Sequence, residues 1–566
     1  MSLMSALNAA VSGLRTSQAG INLVAQNVAN AESVGYTRRV ISPVQVVTGG
    51  KTSGVRTGEV QRVLDTLTQR QLRTEMSGAA YTRVRADFAT SIDRLFGAPG
   101  SVASLDYAMN DFTQQLTRLA NDPADFSARA AVVDRAQTLA SRISSIATGV
   151  QSLRTQAEGR IADSVTRANE LLAGIADANA KVTAADFKGG SAALEDERDR
   201  MINELSGLMD IQVQEGANGS VRLLTGSGTM LFDGMNATRL TFDARAVLGA
   251  TSSYDAVPPS VGVIRAVSSS GASSDLIAAG AFRSGVIGAA LEMRDETLVQ
   301  AQRQLDELAA GMARAFSDVQ APVTGNQVDF SAAGTNPVSV ELVVGGEFRR
   351  FSAADTTALA AALTAEGYTV SGTWEIGGLP PPSAVLAASS TVTTLNAGGP
   401  QLPLFTDRGT GGNAFTGIGD QLTGFAQRIM VNTAVVSDRS NLVSMTAGTP
   451  QGDPTRPQFM LDALTQSTRV FAPQAGIGGV AAPLNSSVAG FGRSIVAMQG
   501  ANAEAAQRLN EGQNIALAAI ESRFADVSGV NIDQEMALLV QLQTAYGANA
   551  RVMTAVRDMM DMLMRI

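Results

Sequence analysis

Neither cysteine nor histidine occurs anywhere in the 566 residues of this chain. The first absence excludes a disulfide framework, a thiolate nucleophile and zinc–sulfur ligation. The second removes the commonest general base, the commonest transition-metal ligand and every Ser-His-Asp triad. Asp, Glu, Lys and Tyr remain as formal catalysts. Fifty-two acidic residues bring some carboxylates together by chance, however, and no pair is singled out by its spacing. The expectation is a protein that is not an enzyme, with no catalytic, cofactor-binding or metal-binding residues.

Other shortages narrow the class. No stretch approaches the roughly twenty apolar residues of a membrane span. The first charge is Arg15, so no basic segment precedes an apolar core and no secretory signal peptide is expected. Net charge is −9, with arginines interspersed among acids rather than gathered into a stripe, which argues against nucleic acid as a ligand. The apolar fraction of 45% is that of a folded chain, and the length predicts three or so domains.

What is present lies first at the two ends. Leu3, Leu7, Ala10, Leu14, Ser17, Ile21, Val24 and Val28 alternate spacings of four and three, and so do Leu539, Leu542, Tyr546, Asn549, Met553, Val556, Met560 and Leu563. Each row is the seam of a coiled-coil helix, and each needs a partner from outside its own segment. Ala10 and Ser17 narrow the first seam and permit close helix approach. Asn549 either sits in the second seam as a buried amide that fixes register, or lies at its water edge. Isolated helices are marginal in water, so both ends are expected to be frayed in the monomer and ordered on assembly.

Between them the pattern predicts a nested rod, mainly α with inserted β. Residues 1–62 form the N-terminal part of a terminal coiled-coil domain and its linker, with a helix over 2–30 and extended segments over 36–62. Asn30 suits the helix end, and Gly35 the left-handed turn after it. Residues 63–320 form a helical middle domain, with helices at 63–96, 104–119, 127–182, 191–208 and 283–319. A small β meander lies at 211–235, and residues 243–275 are weakly patterned. The charge run Leu194–Arg200 reads as a solvated helix face supported by Asp196–Arg200.

Residues 321–420 are expected to form a β-rich outer domain, with strands at Val338–Val344, Tyr368–Trp374 and Thr391–Leu395 and a helix at 353–366. Residues 421–520 return to the helical middle, with helices at 420–435, 456–470 and 492–525, the last running on into the closing segment. Residues 521–566 close the coiled coil. Gly409–Ala414 loosely fits a dinucleotide fingerprint but lacks a preceding buried strand and a following helix, so it reads as a loop.

The end motifs are identifiable. Ala6–Leu14, including Ser12, Gly13 and Leu14, then Asn27-Val28-Ala29-Asn30 and Gly35-Tyr36, resemble the opening of bacterial flagellar rod, hook and hook-associated proteins. Ser528–Met536 and Gln543–Arg551 resemble the close of the same family. The helical middle and the Ser528-Gly529-Val530-Asn531 form of the ending are similar to the branch that joins hook to filament. One departure is Ser33-Val34, where the family usually carries Thr-Pro.

The resemblance implies a structural adaptor at the hook–filament junction, exported by the flagellar type III apparatus and held before export by a chaperone on its C-terminal segment. Implied partners are copies of itself in a ring, hook protein and a second hook-associated junction protein, with no nucleic acid and no membrane. The stripe Met553, Val556, Met560 and Leu563 suits capture of a helix in a chaperone groove, so that one apolar face would serve two partners in succession. Alternatives are hook protein itself, or a flagellar scaffold displaying an adhesin-like or hydrolase-like insertion.

Overall fold

The computed structural model describes residues 3–33, 35–48, 51–98, 100–186, 191–268, 271–480 and 482–564. Helix α1 (Leu3–Ala29) leads into a long antiparallel hairpin, β1 (Arg39–Thr48) and β2 (Lys51–Arg62), built from the valine-rich segment. The turn between α1 and β1 carries Gly35 at φ +83°, while Val34 of the departing Ser33-Val34 pair lies outside the described residues. Helix α2 (Thr66–Phe96) begins where the Asp65 carboxylate accepts the Leu67 and Thr68 N–H groups, satisfying donors that a helix start leaves unpaired.

The middle domain is a bundle of α2 with α3 (Leu105–Asn121), the 61-residue α4 (Phe126–Asp186) and α5 (Ala192–Leu208). At about 1.5 Å per residue, α4 alone spans roughly 90 Å. The expected meander is present as β3 (Ile211–Glu215), β4 (Val221–Thr225) and β5 (Met230–Phe232). The weakly patterned stretch after it holds a second three-stranded sheet, β6 (Arg239–Phe242), β7 (Ile264–Val267) and β8 (Ser273–Asp275). Both sheets cover the distal half of α4, where Ile161, Leu172 and Ile175 pack with Leu223, Phe232 and Ile264. The helix expected at 283–319 is α6 (Gly285–Glu292) and α7 (Leu298–Ser317), joined by a π-helical turn at Met293–Thr297. That turn aims the buried Arg294 guanidinium at Glu158 of α4, 2.6 Å away.

The outer domain is smaller than expected. Its sheet is ordered β13-β12-β16-β9, from β9 (Asp318–Ala321), β12 (Val338–Val344), β13 (Glu347–Ala353) and β16 (Ser383–Thr391). Two small hairpins flank it, β10 (Val323–Thr324) with β11 (Gln327–Val328) and β14 (Thr369–Val370) with β15 (Ile376–Gly377); α8 (Thr356–Ala365) packs on one face.

Two expected strands fall elsewhere. Tyr368–Trp374 is interrupted after Val370, because the chain turns through Gly372 to Trp374 at φ +57°. The last strand is Ser383–Thr391 rather than Thr391–Leu395; its Ala- and Ser-rich sequence lacks the β-branched signature that marks strands. Nor does the domain reach 420. Leu402, Leu404 and Phe405 belong to the helical core, where Phe405 meets Phe112 of α3 and Phe316 of α7 at centroid distances of 6.0 and 5.8 Å.

The return is irregular where a helix was expected over 420–435. Strands β17 (Phe405–Asp407), β18 (Asn413–Ala414) and β19 (Ile429–Val431) form a small sheet beside the short helices α9 (Phe425–Arg428) and α10 (Thr433–Ser437). The Gly409–Ala414 segment is a turn within this sheet. After α11 (Thr455–Thr465), β20 (Arg469–Val470) pairs with β21 (Asn485–Ser486), and α12 (Val488–Ser528) runs back along α2. Helix α13 (Ile532–Met564) then packs on α1. The chain is therefore nested: α1 with α13, α2 with α12, and β material looped out from the centre.

The return segment is fixed to α7 by Asp306, whose carboxylate accepts the Gly424 and Ala426 N–H groups, each at 2.8 Å, and Gln302 Nε2 at 3.0 Å. Burial pushes this carboxyl up to about 6 from an ordinary 3.8, against the hydrogen bonds that favour its ionised form. Because the folded value is the higher one, Asp306 contributes stability that is present below about pH 4 and lost as pH rises through about 6. Asp306→Asn removes that contribution. The urea midpoint of the variant should depend less on pH between about 4 and 6 than that of the parent; parallel profiles would show that Asp306 does not titrate there.

Candidate functional site: the joined chain ends

Helices α1 and α13 run antiparallel in a register set by heptads on both. A Cβ placed on Gly13 would lie 2.8 Å from Asn549 Nδ2, and one on Gly20 would lie 3.0 Å from Leu542 Cδ1. One heptad further on, Asn27 Nδ2 donates to Glu535 Oε2 at 3.0 Å. Glycine at two successive contact points lets the backbones approach, and the partner side chains fill the space that a Cβ would occupy.

The expected N-terminal seam is divided by this geometry. Ala10, Ser17 and Val24 are buried, whereas Leu3, Leu7, Leu14, Ile21 and Val28 are half-buried beside the glycine row. On α13, Val556 is 3% exposed, and Leu539, Leu542, Asn549 and Met560 are half-buried. Tyr546, Met553 and Leu563 are exposed, Leu563 to 61%. The four residues named for chaperone capture therefore do not share one free face, since Val556 is turned inward. The exposed apolar row runs instead through Met536, Val540, Val552, Met559, Met562 and Leu563.

The end of the pair is closed by a polar node made from the family motifs. Asn27 uses its whole amide. Nδ2 donates to Glu535 and to the Arg39 carbonyl, while Oδ1 accepts the Tyr36 hydroxyl at 2.9 Å and the Arg39 N–H at 3.2 Å. Glu535 is fully buried and receives Arg38 Nε at 2.8 Å on its other oxygen. Removing one partner of such a buried pair strands the other, which typically costs about 3–5 kcal/mol. Burial raises the Tyr36 phenol, Arg39 lowers it, and the neighbouring carboxylates Asp196 and Glu535 raise it further, so it remains a donor at neutral pH.

Other motif residues hold the backbone. Ser12 Oγ accepts the Val55 N–H of the β2 strand, and Asn30 Nδ2 donates to the Gln26 carbonyl near the end of α1. Ser528 is buried; its carbonyl accepts the Arg38 N–H and its hydroxyl meets the Asp65 N–H. A Cβ on the adjacent Gly529 would lie 2.3 Å from the Ala525 carbonyl oxygen, so the break between α12 and α13 requires glycine. Leu14 is half-buried and has no polar role.

The charge run at Leu194–Arg200 departs from the solvated face expected of it. Asp196 and Asp199 are buried, and Asp196 pairs with Arg39 and Arg62, not with Arg200. Arg62 also reaches Glu195 at 2.7 Å and Asp199 at 2.8 Å, and Arg73 reaches Asp199 at 3.3 Å. Only Glu197–Arg200 is the exposed pair of the bland reading. Burial alone would raise the Asp199 carboxyl, but Arg62, Arg73 and Arg198 outweigh it and hold it below its ordinary range. Arg39 links the two clusters, lying 4.6 Å over the Tyr36 ring while its guanidinium reaches Asp196. The hairpin base is thereby clamped between the paired ends and the helical domain.

Sequence reasoning assigned no role to Gly20, Arg38, Arg39, Arg62 or Arg73, and it placed the buried Asp199 on a solvated face. The available signal was the heptad phase of Gly13, Gly20 and Asn27 against Glu535, Leu542 and Asn549. Among the described residues, no group of three or more acidic side chains is placed to hold a metal ion, and no helix is long and apolar enough to cross a membrane.

Paired ends, a helical middle and a looped-out β domain, with no built catalytic site among the described residues, have the form of a structural protein, and the comparisons are all with flagellar structural proteins. The family model for the flagellar hook-associated protein FlgK helical domain matches residues 89–330, and that for the flagellar basal body rod FlgEFG protein C-terminal segment matches 521–566. The chain is 24% identical to flagellar hook-associated protein 1 of Escherichia coli K12 across the whole of both chains. It is 26% identical to that of Salmonella typhimurium over 56% of each chain. A solved structure of the flagellar hook junction protein FlgK from Burkholderia pseudomallei matches with a TM-score of 0.50 at 15% identity, covering 80% of this chain and 99% of that one. The chain thus carries a FlgK-type helical domain and resembles flagellar hook-associated protein 1 from end to end, which makes it a structural protein and not an enzyme.

Gly20→Leu should separate the two roles of the glycine row. It favours helix formation in α1 by roughly 1 kcal/mol yet places a side chain where Leu542 sits. The expected outcome is unchanged helical content with faster amide exchange throughout α13. Unaltered protection of 535–556 would contradict the packing described.

Proposed function

We propose that this chain joins hook to filament by seating its paired end helices among those of neighbouring subunits in a ring. The observation that carries the proposal is the state of α13. It is docked on α1 along one side only, and the other side presents Met536, Val540, Val552, Met559, Met562 and Leu563 to solvent. Exposed large apolar side chains in this number on one helix mark a surface that another chain covers. The half-buried Leu7, Leu14 and Ile21 flank it on α1 and would complete coiled-coil packing with a neighbour.

Copies of this chain, hook protein and a second hook-associated junction protein are the partners that this placement requires. Export by the flagellar type III apparatus, and a chaperone holding the C-terminal segment beforehand, complete the reading and place the working protein outside the cell. The sequence-derived idea of one face used twice is narrowed here to the exposed Leu563, with the half-buried Met560 one turn past the inward-facing Val556. Hook protein itself is disfavoured by the 61-residue α4 and the helical-domain match.

Electron microscopy of flagella labelled with antibody against residues 318–392 should show a single band between hook and filament. Label along the whole hook would contradict the junction assignment. Met560→Asp combined with Leu563→Asp should abolish both ring incorporation and chaperone capture while leaving the middle domain folded. Capture by the chaperone at undiminished affinity would remove the shared-face reading.

A further inference from the structure

The chain has one tryptophan, and it sits in the outer domain under conditions that packing alone does not explain. Trp374 adopts φ +57°, the one positive value at a non-glycine residue among those described. A bulky side chain in that region costs on the order of 1–3 kcal/mol, and such strain persists where surrounding structure imposes it, often at binding sites. The surroundings here do impose it. The Trp374 N–H donates to the Ser371 carbonyl, and the Trp374 carbonyl accepts the Val328 N–H, each at 3.0 Å, tying the turn after β14 to β11.

The strained turn does not bury the ring. Trp374 stays half-exposed, braced edge-to-face on Phe330 with centroids 4.8 Å apart at 78°. It borders a surface groove of about 690 Å³ formed by both small hairpins and the start of α8. Phe330 supplies the other apolar surface. Asp329, Gln327, Thr356 and Thr373 supply polar groups.

Two of these groups are already oriented. Asp329 Oδ1 accepts the Ser331 N–H at 2.9 Å, and Gln327 Nε2 donates to the Thr373 carbonyl at 3.2 Å, leaving the Gln327 carbonyl oxygen as an acceptor. Asp329 is the single charged side chain among the lining residues, and no Lys or Arg lines the groove.

That inventory restricts the ligand. With no cation present, anions such as phosphates or acidic sugars have no counter-charge. A carboxylate, an amide oxygen and hydroxyls beside a fixed aromatic surface match a neutral molecule with many hydroxyl donors and an apolar C–H face. The weakly positive C–H groups of such a face stack on the negative face of an indole. A quaternary ammonium would use the same ring, but tight capture of one calls for several aromatic walls. Only two aromatic residues are present, and Phe330 is largely buried beneath the first.

We infer that the groove between Trp374, Asp329 and Thr356 is a binding site for a neutral saccharide, carried on the outer domain. No residue of the joined chain ends lines it, so the site would add surface recognition to a junction protein independently of assembly.

Because Trp374 is the chain's one indole, its fluorescence reports on this groove alone. The full-length protein is titrated with maltotriose, cellotriose, mannotriose, N,N′,N″-triacetylchitotriose and lactose, with choline chloride as the competing chemistry. At least one sugar should produce a saturable change in emission. Asp329→Ala should weaken that affinity about tenfold or more, the loss expected when a hydrogen bond to a charged group is removed. Trp374→Ala, followed by calorimetry, should abolish it. Circular dichroism matching the parent shows that each variant is folded, and Asp329→Ala keeps the test decisive should Trp374→Ala unfold. No saturable response to any of the sugars, saturation by choline alone, or parental affinity in Asp329→Ala would each overturn the inference.

Discussion

Everything in this molecule depends on two helices more than five hundred residues apart approaching to backbone distance. Gly13 and Gly20 remove the side chains that would hold α13 away from α1, and Asn549 and Leu542 fill the space they leave. One heptad beyond, the Asn27–Glu535 hydrogen bond closes the ladder in a fully buried setting. A buried amide and carboxylate are poor general stabilisers, because desolvation offsets much of their attraction. They are strong selectors of register, since any slip leaves them unpaired. The pairing of the ends is thus specified by polar complementarity and close approach, while much of the apolar surface on α13 stays exposed.

From that joint, order passes outward through charge. Asn27 holds Tyr36 and the Arg39 backbone; the Arg39 side chain reaches Asp196, and Arg62 and Arg73 share Asp199. Further out, α7 grips the outer domain in a comparable way. Arg350 of β13 sits between Glu307 and Glu341, both at 2.8 Å, and the opposite charges hold its guanidinium above its ordinary range although the side chain is only 11% exposed. Breaking such clusters costs about 3–5 kcal/mol per orphaned charge, so each acts as a rigid joint between bodies.

Legibility in the sequence followed the physics of each element. The long helices were readable because an apolar period of three and four persists over many turns, as from Leu139 to Ile175, but the caps Asp65 and Ser487 went unread, so two starts were placed at 63 and 492 instead of Thr66 and Val488. The valine-rich hairpin and the β3–β5 meander were readable for the same reason at period two. Strand β16 was missed because alanine and serine carry little strand preference, and β6–β8 because they are short and separated by long turns. The 402–431 segment was misplaced because single residues, Leu402, Phe405 and Phe425, reach into the core from irregular chain. At the site, heptad spacing exposed the seams but not their phase. Leucines draw attention, whereas the contact is centred on glycine and asparagine, whose importance lies in what they leave room for. The acidic run at 194–200 was misread because nothing local reveals that Arg39, Arg62 and Arg73 return to it from elsewhere in the chain.

The absence of cysteine makes the central claim directly measurable. Gly13→Cys combined with Asn549→Cys places two sulfurs where a Cβ on residue 13 already lies within 3.0 Å of the Asn549 side chain, close to disulfide geometry. Gly13→Cys combined with Leu542→Cys sets the second sulfur one heptad away, about 10 Å along the helix. Mild oxidation of the full-length monomer, followed by non-reducing electrophoresis, separates a looped chain from an open one. The structure predicts rapid, near-complete looping for the first pair and little for the second. Equal looping by both pairs, or looping by the second alone, would contradict the antiparallel register on which the rest of the structure depends.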